Sequence, residues 1–187
     1  MTRDADLGAI LARARAGERA ALDELFAATY SELRALARAR LRAMPRVTVL
    51  DTVGLVHESY MRLAGAGRLQ PQDRAHFMRY AARAMHSIIV DHARRRSAER
   101  RGGGQQRVEL TTSVGDEDAA GAAEILRVHD AIEALAATDA RAMEVVEMRY
   151  FGGMSEPEIA EALGVGERTV RRDWEKARVL LAEALEQ

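Results

Sequence analysis

The chain has 187 residues, a formal net charge of −1, no cysteine and only 4% aromatic residues. That length holds one medium domain or two small ones, the abundant alanine, leucine and arginine favour helix over strand, and the absence of cysteine fits a reducing compartment. The near-zero charge conceals a division, since residues 1–107 carry 20 arginines against 11 carboxylates whereas 108–187 carry 8 basic and 18 acidic residues, so only the first half as a whole suits a polyanion.

Four helices are expected in the first half. Leu7, Ile10, Leu11 and Ala14 share a face of the first, which Gly17 ends. Leu22, Leu25, Thr29, Leu33 and Leu36 form the stripe of a long second helix closed by Pro45. The third spans about Thr52 to Ala64, with Val53, Val56, Tyr60 and Leu63 facing inward and Gly65 and Gly67 as stops. A polar loop, Arg68 to Gln72, leads to a fourth helix capped by Asp73. Phe77, Ala81, Ala84 and Ile88 pack it, and it runs out into Arg94, Arg95, Arg96, Arg100 and Arg101. Arg79, Arg83, His86 and Arg94 recur about every one or two turns, which predicts a basic, solvent-facing strip suited to a polyanion.

The glycine-rich, increasingly acidic stretch 102–122 reads as a flexible linker between an N-terminal domain, 1–101, and a C-terminal one, 123–187. Ile125, Val128, Ile132 and Leu135 form one stripe beyond it, and Met143, Val146 and Tyr150 another, before Gly152 and Gly153 break the chain. Ser155 and Glu158 then stand at capping-box spacing, with Pro157 tolerated in the first turn of the helix they open. Ile159, Ala160 and Leu163 point inward and Gly164 to Gly166 stop that helix. In the next helix Val170, Trp174, Ala177 and Leu181 make the buried stripe, and Arg168, Arg171 and Arg172 face the other way. Small Ala160 at the crossing, Gly164 in the turn and Val170 as anchor match a helix-turn-helix whose arginines contact guanine edges or phosphates.

Enzyme chemistry finds no support. His57 and Glu58 begin an H-E-x-x-H zinc motif, but Met61 stands where the second histidine belongs. His86 and His92 are six residues apart and point to different helix faces, so no metal or other cofactor is expected. Without a signal-peptide core or an eighteen-residue apolar run, the expectation is a cytoplasmic protein that does not contact a membrane.

Taken together, the layout resembles a sigma-70 family initiation factor of the extracytoplasmic-function (ECF) type. Leu55, Val56, His57, Glu58, Ser59, Tyr60, Met61, Arg62 and Leu63 resemble the L-V-Q-E-x-F-L-R-L helix that such factors dock on the polymerase clamp. Arg74 to Phe77, Ala81 to Met85 and Asp91 to Arg96 resemble the helix and loop that open the −10 element, and Glu158 to Val170 resembles the E-I-A-x-x-L-G-x-S-x-x-T-V reader of the −35 element. The resemblance implies an all-α protein of two helical domains that is not an enzyme, with core RNA polymerase and promoter DNA as partners. It assigns Arg168, Thr169, Arg171, Arg172 and Lys176 to the −35 element, and Arg74, His76, Phe77, Arg79, Arg83, His86 and Arg94 to the −10 element. Asp51, Leu55, His57, Glu58, Tyr60 and Arg62 fall to the polymerase. For Phe77, core packing competes with base stacking.

One position departs from the family pattern. Where an acidic cluster spelled roughly D-A-E-D precedes the docking helix, this chain has Asp51, Thr52, Val53 and Gly54. A phosphate on Thr52, or less favourably on Thr48, would restore negative charge there, making a Ser/Thr kinase a partner; the competing role for Thr52 is that of helix cap. An anti-sigma protein is the other controlling partner that the resemblance implies. The alternative function is a stand-alone helix-turn-helix regulator whose N-terminal domain senses a ligand or a second subunit.

Overall fold

Helix formers dominate the chain, and the computed structural model, which describes residues 2–43, 50–65, 69–102 and 112–186, is all-α. The elements are α1 (Thr2–Arg15), α2 (Arg19–Ala43), α3 (Thr52–Gly65), α4 (Arg74–Gly102), α5 (Thr112–Thr138), α6 (Ala140–Val146), a π-helical turn (Glu147–Phe151), α7 (Glu156–Leu163) and α8 (Glu167–Glu186). Pro45, Thr48, Gly67, Arg68 and the 103–111 part of the expected linker lie outside the described residues.

The first core gathers around α4. Phe77, Met85, Ile88 and Ile89 of α4 meet Leu25 and Leu33 of α2 and Leu55 of α3, all essentially without solvent contact. Phe26 packs edge-on against both Phe77 and Tyr60, at ring-centroid separations of 5.3 and 5.1 Å. Two hydroxyls are tolerated inside because each donates to the carbonyl one turn back, Thr29 to Leu25 and Ser59 to Leu55, both at 2.7 Å.

Expectations on α3 and α4 are corrected by this packing. Phe77 is 0% exposed, so it is a core residue and is not available for base stacking. Leu55, assigned to the polymerase, is likewise 0% exposed, because the inward stripe of α3 is Leu55, Val56, Ser59 and Leu63. Val53, expected inside, is 51% exposed: it stands in the first turn, where side chains tilt toward the helix N-terminus and so away from the packed neighbours.

In the second half, α5 already begins at Thr112, so residues 112–122 of the expected linker are helical. Its alanines favour helix, and Ala122 and Ile125 pack into the core of α1–α4. Further along α5, Ile132 and Leu135 join Ala142, Val146 and Ala177 in a separate cluster. One helix therefore belongs to both cores.

The π-helical turn shifts the register that periodicity predicts. Val145, Val146 and Met148 are buried while Tyr150, expected inside, is largely exposed, with the Arg40 guanidinium 5.6 Å from its ring centre. Glycine is required where the turn closes: a Cβ on Gly152 would lie 2.3 Å from the Met148 carbonyl oxygen, and Gly153 has φ 59°.

His86, expected on the solvent-facing strip, is also buried, its ring edge-on to His129 of α5 with centroids 5.4 Å apart. Burial first, then the neighbouring His129, Arg40 and Arg83, push its pKa from the usual 6.5 down to about 3.

Two predictions follow from this packing. Phe77→Ala should destabilise the fold by about 3–5 kcal/mol in urea unfolding, as expected for a large aromatic removed from a closed core; a loss under about 1 kcal/mol would contradict the core assignment. Because His86 resists protonation in the folded chain, its contribution to stability is complete above pH 6.5 and is lost as pH falls toward about 3. Between pH 7 and pH 5 this should cost about 2 kcal/mol, and His86→Gln should flatten that slope relative to wild type.

Candidate nucleic-acid interface

The helix-turn-helix is built as its sequence implies. Glu158 Oε2 accepts from both the backbone N–H of Ser155, at 2.9 Å, and its Oγ, at 2.7 Å, which fixes the start of α7. These hydrogen bonds hold the Glu158 carboxyl below its usual range. Gly164 ends the helix with φ 63°, and the N–H of Val165 bonds the Ala160 carbonyl at 3.0 Å. Ile159, Ala160 and Val170 close against Val145, Met148 and Met154.

The recognition helix α8 is held from behind by ion pairs. Asp173, only 4% exposed at its side chain, receives Arg141 of α6 at 2.6 Å and lies 3.6 Å from Arg172. Lys176 binds Asp139 at 2.7 Å, and Asp139 also caps α6 through the Ala142 N–H. Glu156 of α7 accepts from Arg149 and from Arg171, both at 2.9 Å, and the Arg149 guanidinium lies 4.8 Å from the Trp174 ring centre. The carboxyl of Glu156 is held low by Arg149 and Arg171.

Arg168, Arg171 and Arg172 therefore present guanidinium groups outward, with the Arg172 side chain 70% exposed. With Thr169 and Glu175 they line a concave patch of about 410 Å³. Lys176 also projects from α8, tethered to Asp139. A row of cations beside a helix N-terminus is suited to a phosphate backbone or to guanine edges.

The α4 strip is a different case. Its arginines face the second half of the chain. Arg79 is ion-paired with Glu144 of α6 and keeps only 16% side-chain exposure. One turn on, Arg83 Nε lies 3.2 Å from Glu147 Oε2 in the π-helical turn, although this carboxylate oxygen lacks a hydrogen bond of good geometry. Burial raises the Glu147 carboxyl above its usual range. Arg74 bonds Glu32 of α2 at 2.5 Å and stands 3.9 Å from Glu158 of α7. Arg94 reaches His129 at 3.0 Å. His76 stacks on Tyr80 with ring centroids 4.8 Å apart, and its Nδ1 accepts the Gln72 N–H at 3.2 Å.

The expectation of a solvent-facing strip is thus corrected in part: Arg83 and Arg94 remain exposed, whereas His86 is buried and Arg79 is largely covered. Helical spacing identified a basic face, but its acidic complement lies roughly sixty to eighty residues further along the chain, beyond the reach of any local pattern. The missed partners are Glu144, Glu147 and Glu158. The visible signal was the opposite charge of the two halves.

On α3, Asp51 Oδ1 accepts the Gly54 N–H at 2.6 Å, so Asp51 rather than Thr52 caps the helix. Thr52 occupies the first helical position, half-buried. Tyr60 donates to Asp23 at 2.8 Å, Arg62 pairs with Asp91 at 2.7 Å, and Glu58 lies 3.5 Å from His92. These three side chains tie α3 to its neighbours. What α3 shows outward is a stripe of Val53, His57 and Met61, of which Met61 is 55% exposed. Val53 was missed as a surface residue because an apolar side chain at helical spacing reads as core.

No helix among the described residues is long and apolar enough to cross a membrane. Neither a curated protein nor a solved structure matches the chain. A family model described as ECF sigma factor matches residues 4–187. With that match running through α3, the arginine-bearing α4 and the helix-turn-helix alike, the chain belongs to the ECF sigma factor family and is a factor of transcription initiation.

Proposed function

We propose that the protein binds core RNA polymerase through the outer face of α3, reads the −35 promoter element with α8, and opens and holds the −10 element with α4 and the loop before it. The observation that carries this reading is the presentation of Arg168, Arg171 and Arg172 from one edge of a helix whose opposite edge is buried and ion-paired. Glu156 directs Arg171, and Arg168 and Arg172 stand exposed beside it, where guanidinium groups can meet guanine edges or phosphates. Opening the −10 element means unstacking a base at a cost of a few kcal/mol, offset by binding the freed strand. Arg74, Arg79, Arg83 and Arg94 supply the positive charge for that strand, and His76 stacked on Tyr80 supplies aromatic surface beside it.

Docking to polymerase rests on the exposed Val53, His57 and Met61, a compact apolar stripe with one polar member. Negative charge is sparse beside it, since the Asp51 carboxylate already serves as a cap. Phosphorylation of Thr52 by a Ser/Thr kinase would add about −1.5 to −2 charge at the first turn of α3, where the helix dipole favours an anion.

Run-off transcription with core enzyme tests the promoter assignment. Arg168→Ala, Arg171→Ala and Arg172→Ala should each weaken promoter binding by about 1–3 kcal/mol, and a base-contacting arginine should also relax preference at one position of the −35 element. Unchanged transcription from all three would remove the −35 role from these arginines, and tight specific operator binding by the protein alone, with no transcription from core enzyme, would favour a stand-alone regulator. For Thr52, core-polymerase affinity should rise in the order Thr52→Ala, Thr52→Asp, kinase-treated wild type. Equal affinity of the three ends the phosphorylation proposal.

A further inference from the structure

The basic face of α4 is already occupied by the chain's own acids. Arg79 and Arg83, one helical turn apart, meet Glu144 of α6 and Glu147 of the π-helical turn, three residues apart, while Arg74 approaches Glu158 in α7. Apolar contact closes the same seam. Ala75 of α4 belongs to the cluster of Val145, Met148, Met154, Ile159, Ala160 and Val170, and Leu36 of α2 lies against Gly153. Beyond Arg83, His86 and Arg94 of the same helix both meet His129.

We infer that Glu144, Glu147 and Glu158 form an intramolecular stand-in for DNA, a carboxylate clasp that occupies the α4 arginines until a nucleic acid strand displaces it. The inference rests on the proposed role of α4 in holding the −10 strand. A guanidinium paired to a carboxylate cannot give the same donors to a phosphate, so the clasp and the strand compete for one surface. Arg79 shows this best, because its paired side chain keeps little contact with solvent. In the remaining pairs the arginines are about half-exposed, and Arg74–Glu158, exposed on both sides at 3.9 Å, is weak and screened by salt, which makes the closure reversible. Glu147 adds to this reversibility, since it sits in the seam with one oxygen lacking a hydrogen bond, so the closed form keeps an unsatisfied group that opening would hydrate. The competition lowers the apparent affinity for DNA by the fraction of molecules that are open.

The isosteric double variant Glu144→Gln/Glu147→Gln removes two of the three clasp charges, those facing Arg79 and Arg83, and leaves every arginine in place. Its binding to a fluorescein-labelled single-stranded DNA oligonucleotide should be about tenfold tighter than that of wild type at the same salt. Glu183→Gln/Glu186→Gln, which removes equal charge at the exposed end of α8, should bind as wild type does. The chain has no native cysteine, so nitroxide labels can be placed uniquely at Arg38→Cys on α2 and Glu161→Cys on α7, both exposed. Their distance distribution by double electron–electron resonance should lengthen in the clasp variant, and also in the otherwise wild-type chain when the oligonucleotide is added. The second arm needs no alteration of the clasp and stands if the glutamine variant fails to fold.

Oligonucleotide binding with no change in the label distance overturns the clasp, as does a folded clasp variant no tighter than the α8 control. If Arg79→Ala/Arg83→Ala loses run-off transcription while either of those results holds, the clasp falls and the −10 role of α4 stands. If Arg79→Ala/Arg83→Ala transcribes like wild type and no variant binds the oligonucleotide, the −10 role falls and the clasp falls with it.

Discussion

The structure depends on α4 having two incompatible faces. One carries Phe77, Met85, Ile88 and Ile89 into the first core, and the other carries Arg79 and Arg83. A helix cannot hide its apolar stripe without exposing the opposite side, and an exposed row of guanidinium groups demands anions. In this chain the anions come from α6, the π-helical turn and α7. The placement of the second half follows from that pairing and from the apolar contacts of Ala75, Ala122 and Ile125 beside it.

The recognition helix solves the opposite problem. On α8 the cations stand toward solvent while the helix itself is held. Asp173 and Glu156 accomplish this from within the C-terminal half, the first by a buried ion pair with Arg141 and the second by holding Arg171 beside the Arg149–Trp174 stack. A buried carboxylate on the inner stripe of an α-helix is costly unless paired, so Asp173 binds α8 to α6 in one register. Arg172 is left largely in solvent by the same arrangement. On α3 the division of labour is similar: Tyr60, Arg62 and Glu58 brace the helix inward, and Val53, His57 and Met61 form the outer stripe.

The π-helical turn links these regions. By adding a residue to the turn it brings Glu147 to Arg83 and Tyr150 toward Arg40, while Arg149 is directed to Glu156 and Trp174. The turn therefore touches α4 on one side and the recognition helix on the other. The tight approach of Gly152 to the Met148 carbonyl shows why a glycine follows it.

Much of this was legible in the sequence. The helical stripes, the stops at Gly17 and Gly164, the capping glutamate Glu158 and the outward arginines of α8 are local, and a helix's faces and ends are set by residues within about four positions of one another. The opposite charges of the two halves were also plain. Which surfaces those charges cover was not: Arg79 with Glu144, His86 against His129 and Asp173 with Arg141 join residues dozens of positions apart, brought together only when whole helices pack. The π-turn that exposes Tyr150, and the first-turn position that exposes Val53 while Leu55 is buried, likewise depend on where neighbouring helices end. Sequence by itself determined the elements and their chemistry, because backbone hydrogen bonding and periodicity are short-range; tertiary structure alone decided which charged face meets solvent and which meets the rest of the chain, because burial is a property of the assembled helices.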